Sequence, residues 1–291
     1  MAYKYVIYEK DKEEKGIATI TLNRPEKLNV MQFLGRGEDA ADFYGALEEA
    51  ASDDDVKVVI IKGAGRAFCA GHDISKVGFL YGMGTGKRGE RRPSQKTRLD
   101  KDRKGWDDWL YLLTYPKITI CQMHGYCVGG GLLLAELCDV AIAAEDAIMG
   151  HYDQRMGFAG TSFALALVAS QVGMKRAREM SLTGDLMSGT EAERIGLVNK
   201  AVPPEELENE VRKMAKKICL QPADGLAMGK ASVQMTFYAM GIIPDLMMGY
   251  PWHTLFTNLQ WQPGEYNFFK HRRDEGLTRA ISNRNVRYVD L

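Results

Sequence analysis

A glycine triplet, Gly129-Gly130-Gly131, ends the run Met123 to Gly131 and follows the apolar segment Ile118 to Cys121. Small residues at such a point leave backbone N–H groups bare at the start of a helix, where they can hold a negatively charged oxygen. A second loop of small residues, Gly63 to Asp73, follows the apolar run Val56 to Ile61 and carries Ala70-Gly71-His72-Asp73. One donor from each loop could converge on a single carbonyl oxygen. That arrangement stabilises the charge developing when a carbonyl becomes an enolate or a tetrahedral adduct.

The titratable residues nearest in kind are His151 and Asp153, with Tyr152, Gln154 and Arg155 beside them. Two residues apart on a strand, they would share a face. Such a pair could activate water for attack on a ketone; equally, His151 could bond to backbone and do no chemistry. His124, just before the glycine motif, reads as a loop anchor with catalysis as the alternative. Other chemistries fit poorly. Histidines and acids do not occur at metal-ligand spacing, and Gly82-Met83-Gly84-Thr85-Gly86 is neither a nucleotide loop nor a dinucleotide turn. Ser162 and Ser170 lack the surroundings of an esterase nucleophile. No metal or redox cofactor is indicated.

Asn23 to Asn29, Phe68 to Ile74 and Gly125 to Gly131, in this order and spacing, resemble the crotonase (enoyl-CoA hydratase/isomerase) superfamily. Leu182 to Leu186, Ala192 to Asn199 and Val202-Pro203-Pro204 extend the resemblance, which covers about Tyr5 to Val202. It implies that the two oxyanion donors are the N–H groups of His72 and Gly130. It also implies coenzyme A contacts at Lys27, Leu28, Ala70, Asp73 and Ile74, with Tyr126, Leu133 and Arg284 as further substrate contacts; coenzyme A would enter only as part of a substrate thioester. The ring of His72 is a second candidate contact to the thioester.

The same resemblance places the family's two hydratase carboxylates at Leu133 and Asp153. A leucine cannot move protons, so one acid of the pair remains, as a shorter aspartate. A pocket containing Leu133, Met149 and Phe158 could raise the pKa of Asp153 by desolvation, as general acid/base work requires. The nucleophile position of the related dehalogenases falls on Thr161, which argues against that chemistry.

These residues need elements to position them. The alternation Ile17 to Leu22, the apolar runs Val56 to Ile61, Ile118 to Cys121 and Asp139 to Ala143, and the helical stretches between them predict an α/β core with mainly parallel strands. The resemblance implies a crotonase (ClpP-like) β-β-α superhelix. We expect a core domain over 1–202 and a C-terminal helical region over 203–291 for oligomerisation and for covering the site. Helices are predicted from Pro204, over Ala223 to Met240, and over Asp274 to Ala280. The aromatic stretch Tyr250 to Trp261 with Phe268-Phe269 fits an interface or a substrate contact. Gly78 to Gly105 reads as a long flexible loop, either a basic lid over phosphate or a solvated charged loop, and Trp106 to Leu113 as an amphipathic helix lining an acyl tunnel or packing the core. The tail 285–291 has no assigned role.

In a chain of 291 residues, 38 basic side chains balance 38 acidic ones, so charge offers no reason to expect nucleic acid or a membrane surface as partner. Neither a signal peptide nor a spanning segment is evident, and the five cysteines form no Cys-x-x-Cys pair, which suggests a reduced, cytoplasmic protein. The expected activity is hydration or dehydration of an unusual enoyl-CoA, cyclic or aromatic in its acyl part, by a homotrimer or a dimer of trimers (a homohexamer). The alternatives are a hydrolase opening a cyclic β-oxoacyl-CoA, a Δ3,Δ2-enoyl-CoA isomerase, and a non-enzymatic family member that binds RNA or protein.

Overall fold

The computed structural model describes residues 3–33, 37–83, 92–157, 164–256 and 258–289. Phe158, Thr161, Ser162 and the first part of the basic segment, Lys87 to Arg91, lie outside the described residues. The main sheet takes its order from alternating apolar strands. β1 (Val6–Lys10) is antiparallel to β2 (Ile17–Leu22), and β2, β3 (Val58–Gly63), β4 (Ile118–Met123), β6 (Val140–Ala144) and β9 (Lys200–Val202) follow in parallel. A second sheet joins β5 (Tyr126–Val128), β7 (Ile148–Gly150) and β8 (Met187–Ser188). The chain leaves β4 for β5 and β6 for β7, stepping from the large sheet to the small one each time. This is the β-β-α superhelix.

The helices are α1 (Glu38–Ala51), α2 (Gln95–Leu113), α3 (Gly130–Glu136), α4 (Leu165–Val172), α5 (Met174–Thr183), α6 (Gly189–Arg194), α7 (Leu207–Cys219), α8 (Ala223–Ala239), α9 (Ile242–Phe256), α10 (Phe268–Glu275) and α11 (Leu277–Val286). Parallel strands covered on both faces must be apolar throughout, and β3 is buried at five of its six residues, Lys62 alone being half-buried. α7 lays Leu207, Val211 and Ala215 on the main sheet and so shares its core. A second cluster, Tyr81, Met83, Met156, Phe268, Phe269 and Ala280, binds α10 and α11 to the segment after His72 and to the turn after Asp153.

Two elements differ from the sequence expectation. The charged stretch from Gln95 is not loop but the first turns of α2. The Ser94 hydroxyl accepts from the N–H of Thr97 as an N-cap, and Lys104–Asp100 and Arg103–Asp107 pair one turn apart. Its inner face is polar as well as apolar: buried Asp102 accepts from Tyr81 Oη (2.5 Å) and Thr254 Oγ1 (2.7 Å) and lies 3.0 Å from His253 Nδ1, tying α9 to α2. The helix expected over Asp274 to Ala280 is two helices, because Gly276, at φ 88°, ends α10 and opens α11. Among the described residues no helix is long and apolar enough to cross a membrane.

Candidate active site

The two small-residue loops meet. Gly71 has φ +81°, and a Cβ placed there would stand 2.5 Å from the carbonyl oxygen of Val128 and 3.2 Å from the nitrogen of Gly130. Only glycine permits that approach. The direction of each donor is set by the carbonyl in its own peptide plane, since a trans peptide points C=O and N–H opposite ways. The carbonyl of Gly71 is held by the N–H of Met31 at 2.9 Å, which turns the His72 N–H the other way. The carbonyl of Gly129 accepts from Leu133 N at 3.0 Å, along α3, which leaves the Gly130 N–H facing out of the helix start. Neither N–H donates to another backbone oxygen among the described residues.

Sequence reasoning missed the residue that fixes this loop. Asn29 is 1% exposed; its Oδ1 accepts from Arg24 N at 2.8 Å, and its amide donates to the carbonyls of Ala64 and Ala67, both at 2.8 Å. Arg24 in turn pairs with Asp39 at 2.6 Å.

Beside the donors lies a pocket lined by His72, Trp109, Gly129, Gly130, Leu133, His151 and Asp153. Its free volume is ≈ 10 Å³, room for about one water molecule. The Asp153 Oδ2 lies 4.0 Å from where a Cβ on Gly129 would stand. Burial raises the pKa of Asp153, against the lowering effect of His151 and, more weakly, His253. Trp109 comes from α2 and packs on Phe33 and Trp106. The ring of His72 sits edge-on to Phe33 at 5.2 Å, and its Nε2 is without a hydrogen-bond partner among the described residues. Burial, with His253 adding to it, pushes its pKa down to about 4, so the ring is neutral.

His151 and Asp153 are not on a strand, as their spacing suggested. β7 ends at Gly150, and Asp153 opens a 3-10 turn to Met156, which nevertheless turns both side chains into one pocket. The partner of His151 is one that sequence reasoning did not find: His151 Nε2 is 2.9 Å from Oε1 of Glu136, with His151 7% and Glu136 3% exposed. Burial acts to lower the pKa of His151, and Glu136, helped by Asp153, outweighs it, so the net shift is upward. Glu136 is three residues beyond Leu133, one turn along the same side of α3.

The remaining candidates are placed as follows. Lys27 is exposed, Leu28 accepts from Ala70 N at 2.9 Å, Asp73 caps Ser75, and Ile74 packs in the second cluster. Tyr126 is 41% exposed on β5, while Leu133 is 2% exposed in the pocket. Arg284 is 7% exposed, stacked over Tyr152 and bonded to Asn285, so little of its guanidinium is presented to a phosphate. His124 holds the carbonyl of Gly65 at 2.8 Å, the loop anchor its position suggested. No group of three or more metal-ligating side chains occurs among the described residues.

The chain matches the family described as enoyl-CoA hydratase/isomerase over residues 12–242. It is 32% identical over 251 residues to a protein of Mycobacterium tuberculosis named as an enoyl-CoA hydratase, covering 82% of this chain and 76% of the relative. The crystal structure of an enoyl-CoA hydratase/isomerase from Xanthobacter autotrophicus Py2 superposes with a TM-score of 0.83 at 28% identity, covering 99% of each chain. An enoyl-CoA hydratase from Mycobacterium smegmatis gives 0.82 at 26% identity, over 98% of this chain and 94% of the other.

Proposed function

The chain belongs to the enoyl-CoA hydratase/isomerase family, and from that premise we propose that it is a hydro-lyase adding water to, or removing it from, an enoyl-CoA with a cyclic or aromatic acyl part. The observation that supports this reading is that His72 and Gly130, whose N–H groups donate to no backbone oxygen among the described residues, line one pocket with Asp153. The N–H groups would hold the thioester enolate, and Asp153 would move a proton. An apolar acyl part is supported by the wall that Leu133 and Trp109 make where a second carboxylate would stand.

Assembly as a homotrimer or a dimer of trimers belongs to the same reading, supported by the exposed apolar side chains Met228, Met235 and Tyr238 on α8 and Trp252 and Leu255 on α9. A cytoplasmic setting is supported by five free cysteines. A second reading is favoured by the His151–Glu136 bond: hydrolytic opening of a cyclic β-oxoacyl-CoA, with His151 activating water.

The test is mass spectrometry of an acyl-CoA panel (linear enoyl, cyclic dienoyl, aryl-propenoyl and cyclic β-oxoacyl thioesters) incubated with the protein and with Asp153→Asn. Water gained by an enoyl ester and lost in the variant is the expected result. Water gained only by the β-oxo ester selects the hydrolase. A double bond moved without mass change selects an isomerase. Turnover and binding of none of them, with salt-sensitive RNA binding instead, would leave a non-enzymatic member of the family.

A further inference from the structure

We propose that His151 is the second proton-transfer group of the hydratase reaction and that Glu136 positions it, the pair standing in for the carboxylate absent at Leu133. The inference rests on the hydratase reading above. Three observations carry it. His151 lines the pocket together with Asp153 and both oxyanion donors. One of its ring nitrogens is committed to Glu136 at 2.9 Å, which fixes the ring plane and leaves the other nitrogen for the pocket side. Glu136 occupies the same side of α3 as Leu133, so the helix carries its acid one turn deeper and reaches the pocket through the imidazole.

A buried carboxylate with a single histidine partner would ordinarily be costly. Its second oxygen, Oε2, has no protein partner among the described residues. Glu136 also lines a separate cavity of ≈ 430 Å³, bounded by Leu137, Asp139, Gln171 and Lys230 among others, although its side chain is only 1% exposed there. The dyad therefore stands between two cavities, with the imidazole on the active-site side.

The step balances as follows. The oxygen of water bonds to C3 of the enoyl group as its proton passes to the Asp153 carboxylate. The C2–C3 π electrons move to the thioester oxygen, held by the N–H groups of His72 and Gly130. The enolate collapses and C2 takes the proton of the His151 imidazolium, which Glu136 stabilises. Asp153 then returns its proton to His151 across the shared pocket. Of the groups facing His151, Glu136 on α3 and Asp153 on its own turn favour its protonated form; His72 across the pocket is neutral, and His253 on α9 acts on His72 and Asp153.

The experiment is the pH dependence of kcat for the wild type, Glu136→Gln, Glu136→Asp and His151→Asn on the enoyl ester that the panel identifies. His151→Asn should lower kcat by about 10²- to 10⁴-fold with little change in KM. Glu136→Gln should move the alkaline limb of kcat to lower pH, because the imidazolium loses its carboxylate, and Glu136→Asp should move it part of the way back. An unmoved limb in a folded Glu136→Gln overturns the inference, even if kcat falls. Should that variant not fold, ring resonances of histidine-labelled wild type decide, with His151→Asn identifying the signal. A His151 ring titrating above the ordinary histidine value supports the dyad, and one titrating below overturns it. If the wild type hydrates no enoyl ester, the hydratase reading fails and takes the inference with it; hydration with an unmoved limb sinks the inference alone.

Discussion

Gly130→Ala separates the oxyanion site from the fold. Gly130 is the first residue of α3 and is not at positive φ, so its backbone accepts an alanine. The added Cβ, however, would stand 2.8 Å from Cδ2 and Cε2 of Phe33 and 3.2 Å from Nδ1 of His72. Phe33 is 1% exposed and wedged between His72 and Trp109, so it cannot swing into open space. Overpacking of this kind costs about 1–3 kcal/mol. The displacement falls on the ring of His72, whose N–H is the other donor, so one substitution disturbs both. Loss of one oxyanion donor costs about 2.7–4 kcal/mol in the transition state, or about 10²–10³ in kcat. The assay is the fall in absorbance as the conjugated double bond is hydrated, run beside a thermal melt. The expected variant is folded, melts a few degrees lower and has lost at least about a hundredfold in kcat. A folded variant with kcat within about threefold of the wild type would refute the reasoning, since that is under about 1 kcal/mol of transition-state binding. Gly71→Ala is the contrast, because there the added Cβ meets the backbone carbonyl of Val128 at φ +81° and the fold itself should suffer.

Other perturbations test the surroundings. Asp102→Ala removes the buried carboxylate that accepts from Tyr81 Oη and Thr254 Oγ1 and faces His253 Nδ1 between α2 and α9. The cost should be about 3–5 kcal/mol, seen as a melting temperature lower by about 6–20 °C at about 2–4 °C per kcal/mol; a loss under about 1 kcal/mol would show that the cluster is not holding the helices. Asp153→Asn should abolish most activity yet raise the melting temperature at neutral pH. The folded pKa of Asp153 lies above its unfolded value, so the ionised group destabilises the fold above both, and stability is lost as pH rises through that window. The gain should vanish near pH 4, and a variant less stable than the wild type at pH 7 contradicts it. Arg272, whose guanidinium binds the carbonyls of Ile74 (2.9 Å), Val77 (2.7 Å) and Met83 (3.3 Å), steadies the segment after His72. Arg272→Met should raise KM for the thioester more than it lowers kcat and open residues 74–83 to limited proteolysis; unchanged KM and cleavage would remove that role.

The parallel sheet was legible because its strands are apolar runs or, in β2, an alternation of apolar and polar residues, and each is followed by a turn or helix signal. Ile17 to Leu22 and the runs Val56 to Ile61 and Ile118 to Cys121 located β2, β3 and β4 to within two residues at each end with no tertiary information. The start of α2 was not legible for a physical reason. Its first ten residues, Gln95 to Lys104, are almost all charged or polar, and their helical face is completed by Asp102 and Arg98 buried against residues about 150 positions away. A periodicity argument counts apolar residues and cannot see a buried face made of an ion and its donors. The break at Gly276 was hidden in the same way, since a single glycine within a helical pattern can be tolerated or can end the helix.

At the site, residue types announced the donors, but not their aim. The carbonyls of Gly71 and Gly129 are tied to Met31 and Leu133, which turns the N–H groups of His72 and Gly130 the opposite way, and these contacts are made by backbone and therefore silent in the side-chain pattern. The missing acid shows the opposite failure. Leu133 registers in the sequence as a loss, because proton transfer is sought at the position where a carboxylate would touch substrate directly. Helical geometry puts Glu136 on the same side one turn on, too deep to reach the pocket, and the irregular turn after β7 brings His151 across the gap. A proton can pass along such a pair only if the imidazole keeps one nitrogen on the carboxylate and offers the other to substrate. The chemistry of this pocket therefore depends on how many links separate acid from substrate, and not on whether an acid stands at one fixed position.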